Sequence, residues 1–166
     1  MPTGSAQIFD NYKSITLEKS TFLGFSTETS LLEDQTALVF KQLMIWRKDS
    51  DEHRAQPVYD IKVYPEAYFS SFNPSRSFTK WAAVQQQNTK QIDGLQSYDV
   101  DNGLYLCFTC EGSVSAQFFQ ELYTSWLPQS EYELDDRPHF DKIWPDSAQR
   151  GAVLKEEIYI LSLIHI

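Results

Sequence analysis

The chain is predicted to be α+β, a duplicated strand-helix-strand-strand module whose strands join in one antiparallel sheet with two main helices on one face. Three observations predict it. Short runs rich in aromatic and β-branched residues alternate in hydrophobicity. Two stretches with helical spacing each follow such a run. The order of elements then repeats, with Phe25-Ser26-Thr27-Glu28 and Phe108-Thr109-Cys110-Glu111 standing in matching places just ahead of the helices. Similarity between the halves is weak, so the shared order of elements carries the inference. The halves span about 12–87 and 98–160 of a single domain covering 1–160.

Ile15 to Thr29 alternates partially, as a half-buried strand does. Ser30-Leu31-Leu32-Glu33 has capping-box spacing, in which a hydroxyl and a carboxylate satisfy free amides at a helix start. A helix is expected from there to about Lys48, with Phe40, Leu43, Met44 and Arg47 on one face. The charged, polar run Asp49 to Gln56 reads as a loop. Tyr59 to Tyr64 and Phe78 to Gln85 read as strands, with Asn73-Pro74-Ser75-Arg76-Ser77 turning between them, and Gln85 to Gln91 as a polar connector. The second half repeats this: a strand at Gly103 to Cys110, a helix at Ser113 to Leu127 stopped by Pro128, and strands at Arg137 to Ile143 and Lys155 to Ile160.

At 166 residues, 42% hydrophobic and 14% aromatic, the chain can bury a sizeable core as one domain. Its formal net charge of −9 repels phosphate backbones and anionic lipid, so no direct nucleic-acid binding is expected. No apolar run approaches the roughly 20 residues that cross a bilayer, and Met1 to Asn11 has no leader pattern. No membrane association and a cytoplasmic location are therefore expected. Cys107 and Cys110 have C-x-x-C spacing, but residues three apart on a strand point to opposite faces, and no second cysteine pair completes a zinc site. His53, His139 and His165 share no ligand spacing, and no phosphate-binding glycine loop or Ser–His–Asp order stands out. No metal and no cofactor are expected.

Alternation places His139, Asp141 and Ile143 on one strand face and Phe140 and Lys142 on the other; Glu157 and Tyr159 share a face opposite Ile158 and Ile160. A carboxylate in an aromatic pocket loses hydration, so it takes up a proton or awaits a cation, to which each ring adds about 0.5–2 kcal/mol. The alternative is that Asp141 and Glu157 are solvated, or pair with Lys142 and Arg137. Phe119, Tyr123 and Trp126 share a helix face, and Trp81 and Tyr105 sit on strands; core packing is the plainer account of each.

Asp135-Asp136-Arg137-Pro138-His139-Phe140-Asp141, following Trp126-Leu127-Pro128 and preceding Glu156-Glu157-Ile158-Tyr159-Ile160, resembles the GyrI-like small-molecule-binding family, whose fold also serves as the effector domain of some AraC-type and MerR-type regulators. Gly103-Leu104-Tyr105-Leu106-Cys107-Phe108 with Glu111-Gly112, and Phe72-Asn73-Pro74 with Phe78, Lys80, Trp81, Ala82, Ala83 and Val84, extend the resemblance over roughly Ile15 to Ile160. One departure is Asp141, where the family usually has Glu.

The resemblance implies a ligand groove between the halves, lined by Trp81, Tyr105, Tyr123, Trp126, Asp141, Glu157 and Tyr159, that senses or sequesters small amphipathic aromatic compounds, cations foremost. No catalytic residue is expected of such a binder. An alternative is hydrolysis of strained cyclopropane-containing alkylating compounds, with Asp141 or Glu157 as base. Another is inhibition of a protein partner such as DNA gyrase. Any regulatory role would need a protein partner. The final residues, 161–166, read like a translated sequencing adapter where the family continues with Pro, and they are set apart from the functional argument.

Overall fold

The computed structural model describes residues 5–50, 54–66, 68, 73–86, 94–134, 138–146 and 152–164. The strand order is β1-β6-β9-β8-β3-β4-β2-β5, built from β1 (Lys13–Leu17), β2 (Ser20–Thr29), β3 (Val58–Val63), β4 (Phe78–Gln85), β5 (Gln96–Val100), β6 (Gly103–Glu111), β8 (His139–Pro145) and β9 (Val153–Ile164). Short β7 (Tyr132–Leu134) pairs with the end of β9. Every pairing is antiparallel.

The duplication is visible at the centre, where β3 of the first half pairs with β8 of the second and sets Asp60 directly opposite Asp141. Outward from this axis, β4 and β2 correspond to β9 and β6. The edge strands are exchanged: β1 belongs to the first half by sequence yet pairs with β6, and β5 crosses over to pair with β2. This exchange corrects two sequence expectations. Ile15–Thr29 is two strands broken at Glu18-Lys19: β1 is an edge strand beside β6, while β2 lies between β4 and β5 near the other end of the strand order. Gln96–Val100 is a strand although its weak alternation did not announce one.

Helix α1 is Ser5–Asp10 and α2 is Thr36–Lys48. Ser30 does not cap α2. Its hydroxyl accepts from Glu33 N at 3.0 Å within a tight turn, and the helix begins six residues later, where Asp34 accepts from the amide and hydroxyl of Thr36. Helix α2 buries Val39 and Leu43, with Phe40 and Trp46 beside them; Met44, expected on that face, is exposed. Helix α3 (Ala116–Glu121), capped by the Ser115 hydroxyl on Phe118 N, passes through a π turn at Leu122–Trp126 into α4 (Leu127–Gln129). Pro128 lies inside that last turn, and the helix ends one residue beyond it.

All these helices cover the same face. Leu23, Val58, Ala82 and Val84 pack under α2, while Leu106, Phe108, Ile158 and Ile160 pack under α1, α3 and α4. The other face carries no helix among the described residues. The backbone of 161–164 continues β9, pairing Leu161 with Tyr105 and residues 162–164 with β7. Asp135 to Arg137, Phe72, the connector 87–91, His53 and His165 lie outside the described residues.

Candidate functional site

Strand alternation sends Phe22, Tyr59, Trp81, Tyr105, Cys107, Phe140 and Tyr159 to the helix-free face, where they form one buried cluster. Direct opposition in the β8–β9 ladder stacks Phe140 on Tyr159, with centroids 4.7 Å apart and planes 17° apart. Tyr105 closes on Phe140 at 5.5 Å and on Tyr159 at 6.4 Å. From the first half, Tyr59 lies 6.0 Å from Phe140 and 4.7 Å from Phe22. The cluster thus bridges the two halves. Trp81 packs against Tyr98 at 5.3 Å on its β5 side.

A carboxylate and two ammonium groups border these rings. Tyr159 donates its hydroxyl proton to Glu157 Oε1 at 2.9 Å. Burial raises the Tyr159 pKa, and Cys107 and Glu157 push it further the same way; burial and then Glu157 take Tyr59 to about 12. Both phenols therefore stay protonated as donors. Across the ladder from Glu157 stands Lys142, and Trp144 faces Lys155. The Lys142 and Lys155 ammonium groups sit 4.9 and 4.7 Å from the centre of the Trp144 ring, Lys142 also lies 5.8 Å from Tyr59, and Lys155 Nζ approaches Glu157 Oε2 at 3.7 Å.

The helix-covered face handles charge differently. Asp60 and Asp141, opposed on adjacent strands, would repel one another unless paired. Lys62 Nζ meets Asp141 Oδ2 at 3.1 Å and Asp60 Oδ1 at 3.8 Å, and Lys80 Nζ meets Asp60 Oδ1 at 3.2 Å. Burial works against the Lys62 ammonium, yet Asp141 and Asp60 hold its pKa well above the usual lysine range. Its charge lies 5.5 Å from the centre of the Phe119 ring. Asp141 is raised, by burial first, with Lys62 opposing. Glu156, hydrogen-bonded to Asp141, is pushed up to about 7 by burial and then by the Asp141 charge, while its Oε2 accepts from Val114 N at 2.9 Å. Tyr123, delivered by the π turn, is raised by burial to about 12.

The sequence candidates are therefore divided. Trp81, Tyr105, Glu157 and Tyr159 share the helix-free face, whereas Asp141 and Tyr123 belong to the buried ion network beneath the helices. Trp126 belongs to neither. It is clamped by Phe9 at 5.8 Å, Tyr12 at 5.0 Å and Phe108 at 5.2 Å, tying α1 to the π turn. One groove cannot hold the whole set, because Asp141 stands opposite Ile158 while Tyr159 stands opposite Phe140. Asp141 pairs with Lys62, not with Lys142 or Arg137 as the alternative reading had it. Sequence reasoning passed over Phe22, Tyr59, Phe140, Lys142, Trp144 and Lys155 as site residues, although alternation already put Phe140 and Lys142 opposite Asp141. Cys107 and Cys110 lie buried on opposite faces of the sheet, with no disulfide between them.

A cavity of about 310 Å³ lies elsewhere, lined by Glu28, Thr29, Ser30, Glu33, Gln35 and Ser75 among others. Two of its hydroxyls are already engaged: Thr29 Oγ1 accepts from Gln35 N and donates to Glu33 O, and Ser30 Oγ accepts from Glu33 N.

An eight-stranded antiparallel sheet made of two pseudo-repeats, with helices on one side and an aromatic cluster spanning the junction, defines a small-molecule-binding class of α+β domain. The sequence profile of the GyrI-like small molecule binding domain matches residues 10–161, and the chain belongs to that family. No protein with curated annotation matches it. Among solved structures, SAV2435 bound to tetraphenylphosphonium is similar, at 13% identity and TM-score 0.62, over 92% of this chain and 94% of that one. The EcmrR C-terminal domain matches at 8% identity and TM-score 0.58, over 93% and 98%. A hydrolase encoded by lin2189 from Listeria innocua matches at 10% identity and TM-score 0.54, over 92% and 91%. Identities this low speak to the fold alone. No described helix is long and apolar enough to cross a membrane.

Proposed function

We propose that the protein binds small amphipathic aromatic compounds, organic cations foremost, on the helix-free face at the junction of the halves. The observation that carries this reading is the joining of rings from both halves, Tyr59, Trp81, Tyr105, Phe140 and Tyr159, with the Glu157 carboxylate at their border. These rings are buried in the free protein, so a ligand has to part them; once parted, their flat faces supply dispersion and quadrupole attraction, and the carboxylate supplies the sign preference. That SAV2435 has been seen with tetraphenylphosphonium supports the choice of an aromatic cation as probe. Asp141 is a weaker counter-charge, since Lys62 already neutralises it. Sequestration or sensing in the cytoplasm fits such a site, and a regulatory output would pass through a protein partner.

Tetraphenylphosphonium and tetraphenylborate have the same shape and opposite charge. Calorimetric titration in sodium buffer should show the cation binding more tightly, and Glu157→Gln should weaken it by about 1–2 kcal/mol without moving the melting temperature much. Equal affinity of wild type and Glu157→Gln would remove that carboxylate from the site.

Hydrolysis is the second reading, favoured by the fold likeness to the Listeria innocua hydrolase. Glu157 would then be the base, because it lies beside the rings that would hold a substrate, whereas Asp141 is locked to Lys62. Turnover of a cyclopropane-containing alkylating compound, lost in Glu157→Gln, separates enzyme from binder.

A further inference from the structure

The border of the helix-free face already holds cations. Two ammonium groups approach the Trp144 ring, Lys142 at 4.9 Å and Lys155 at 4.7 Å, and Lys155 also faces the Glu157 carboxylate at 3.7 Å. A ring with cations at this distance is in cation–π geometry, and the Glu157 carboxylate that Lys155 also meets completes the surroundings that an organic cation requires. We propose that Lys155 is an internal competitor, occupying in the free protein the seat that a ligand's positive charge takes on Trp144 and Glu157, and so setting which cations the site accepts.

The inference rests on the binding reading above and deepens it. Lys155 is suited to the part because it is loosely held. Its contact with Glu157 is longer than a charge-assisted hydrogen bond of roughly 2.7–2.9 Å. Its side chain remains 45% exposed, against 17% for Glu157. An ion pair of this kind contributes little stability, so the ammonium can swing into water at small cost when a larger, less hydrated cation arrives. A ligand whose charge is shielded by apolar groups gains from this exchange, since it gives up less hydration than lysine recovers. A small, strongly hydrated ammonium gains nothing over the lysine already there. Lys142 is the less displaceable neighbour, being spread over both Trp144 and Tyr59. The selected class is therefore bulky aromatic or quaternary cations.

Replacing Lys155 by Met keeps an unbranched stem against Trp144 and removes the charge, while Lys155→Arg keeps a cation able to stack on the ring. Titration of wild type and both variants with tetraphenylphosphonium and tetraphenylborate tests the idea. Lys155→Met is expected to bind the phosphonium about three- to tenfold more tightly and the borate more weakly, with Lys155→Arg close to wild type. Unchanged or weaker phosphonium binding by Lys155→Met, in a protein whose wild type binds it, overturns the competitor role alone. No binding of either ion by any of the three removes the ligand reading and this inference with it.

Discussion

Glu156 and Glu157 are neighbours on β9, and the two faces of the sheet treat them in opposite ways. Glu157 points to the helix-free side, where it accepts the Tyr159 hydroxyl and meets a loosely held lysine. Glu156 points under the helices, where it accepts the Val114 amide and shares a hydrogen bond with Asp141. The buried network around it contains two cations, Lys62 and Lys80, and three carboxyl groups, Asp60, Asp141 and Glu156. One proton balances that count. Charge on the helix-covered face joins the two halves through Lys62, set between Asp60 and Asp141; charge on the other face meets a phenol and a half-exposed lysine at 3.7 Å. The two carboxylates thus differ less in burial than in what neutralises them.

Breaking the internal network should have the largest effect. Lys62→Met leaves Asp60 and Asp141 facing one another with Lys80 as the remaining partner, so it should cost about 3–5 kcal/mol in denaturant unfolding, the range for removing one member of a buried ion pair. A loss below about 1 kcal/mol would mean that the network is solvated in solution.

The surplus proton can be followed by pH. A glutamate with an ordinary pKa of 4.5 that titrates at about 7 in the fold binds its proton more tightly when folded. Glu156 therefore adds stability that is complete below about pH 4.5 and is lost as the pH rises through about 7. Relative to wild type, Glu156→Gln should gain on the order of 3 kcal/mol between those limits, read as the difference between the two stability profiles. Parallel profiles would show that Glu156 is ionised throughout.

The smallest effect expected is on binding by Asp141→Asn. It should lower stability yet change tetraphenylphosphonium affinity by less than about 0.5 kcal/mol once measured where both proteins are folded, because Asp141 and Tyr159 lie on opposite faces. A loss as large as that of Glu157→Gln would show that the ligand reaches beneath the helices.

Much of this was legible in the sequence. Period-2 alternation at Tyr59-Asp60-Ile61-Lys62 and His139-Phe140-Asp141-Lys142 fixes which residues share a face, and the repeated order of elements gives the duplication. What alternation cannot supply is the pairing between distant strands. Only the register of β3 on β8 reveals that Asp60 opposes Asp141, and only the approach of Lys62 shows that Asp141 is already neutralised. The exchanged edges were hidden for a related reason: a break at Glu18-Lys19 looks like an interruption within one strand unless the partners of each side are known. Trp126 sat on an apolar helix face, which suits a ligand wall or a core equally well; its contacts with Phe9 and Tyr12 make it core, and those come from a helix and a turn that the sequence did not announce.

The four tryptophans offer the most direct test, since Trp81 and Trp144 lie on the helix-free face while Trp46 and Trp126 are carried by α2 and the π turn on the other face. In protein labelled with 5-fluorotryptophan, each indole gives its own fluorine resonance, assignable by single Trp→Phe replacements. Titration with tetraphenylphosphonium should shift the Trp81 and Trp144 resonances together and leave those of Trp46 and Trp126 in place. Movement of Trp46 and Trp126 with Trp81 and Trp144 unmoved would put the ligand on the other side of the sheet and contradict the account.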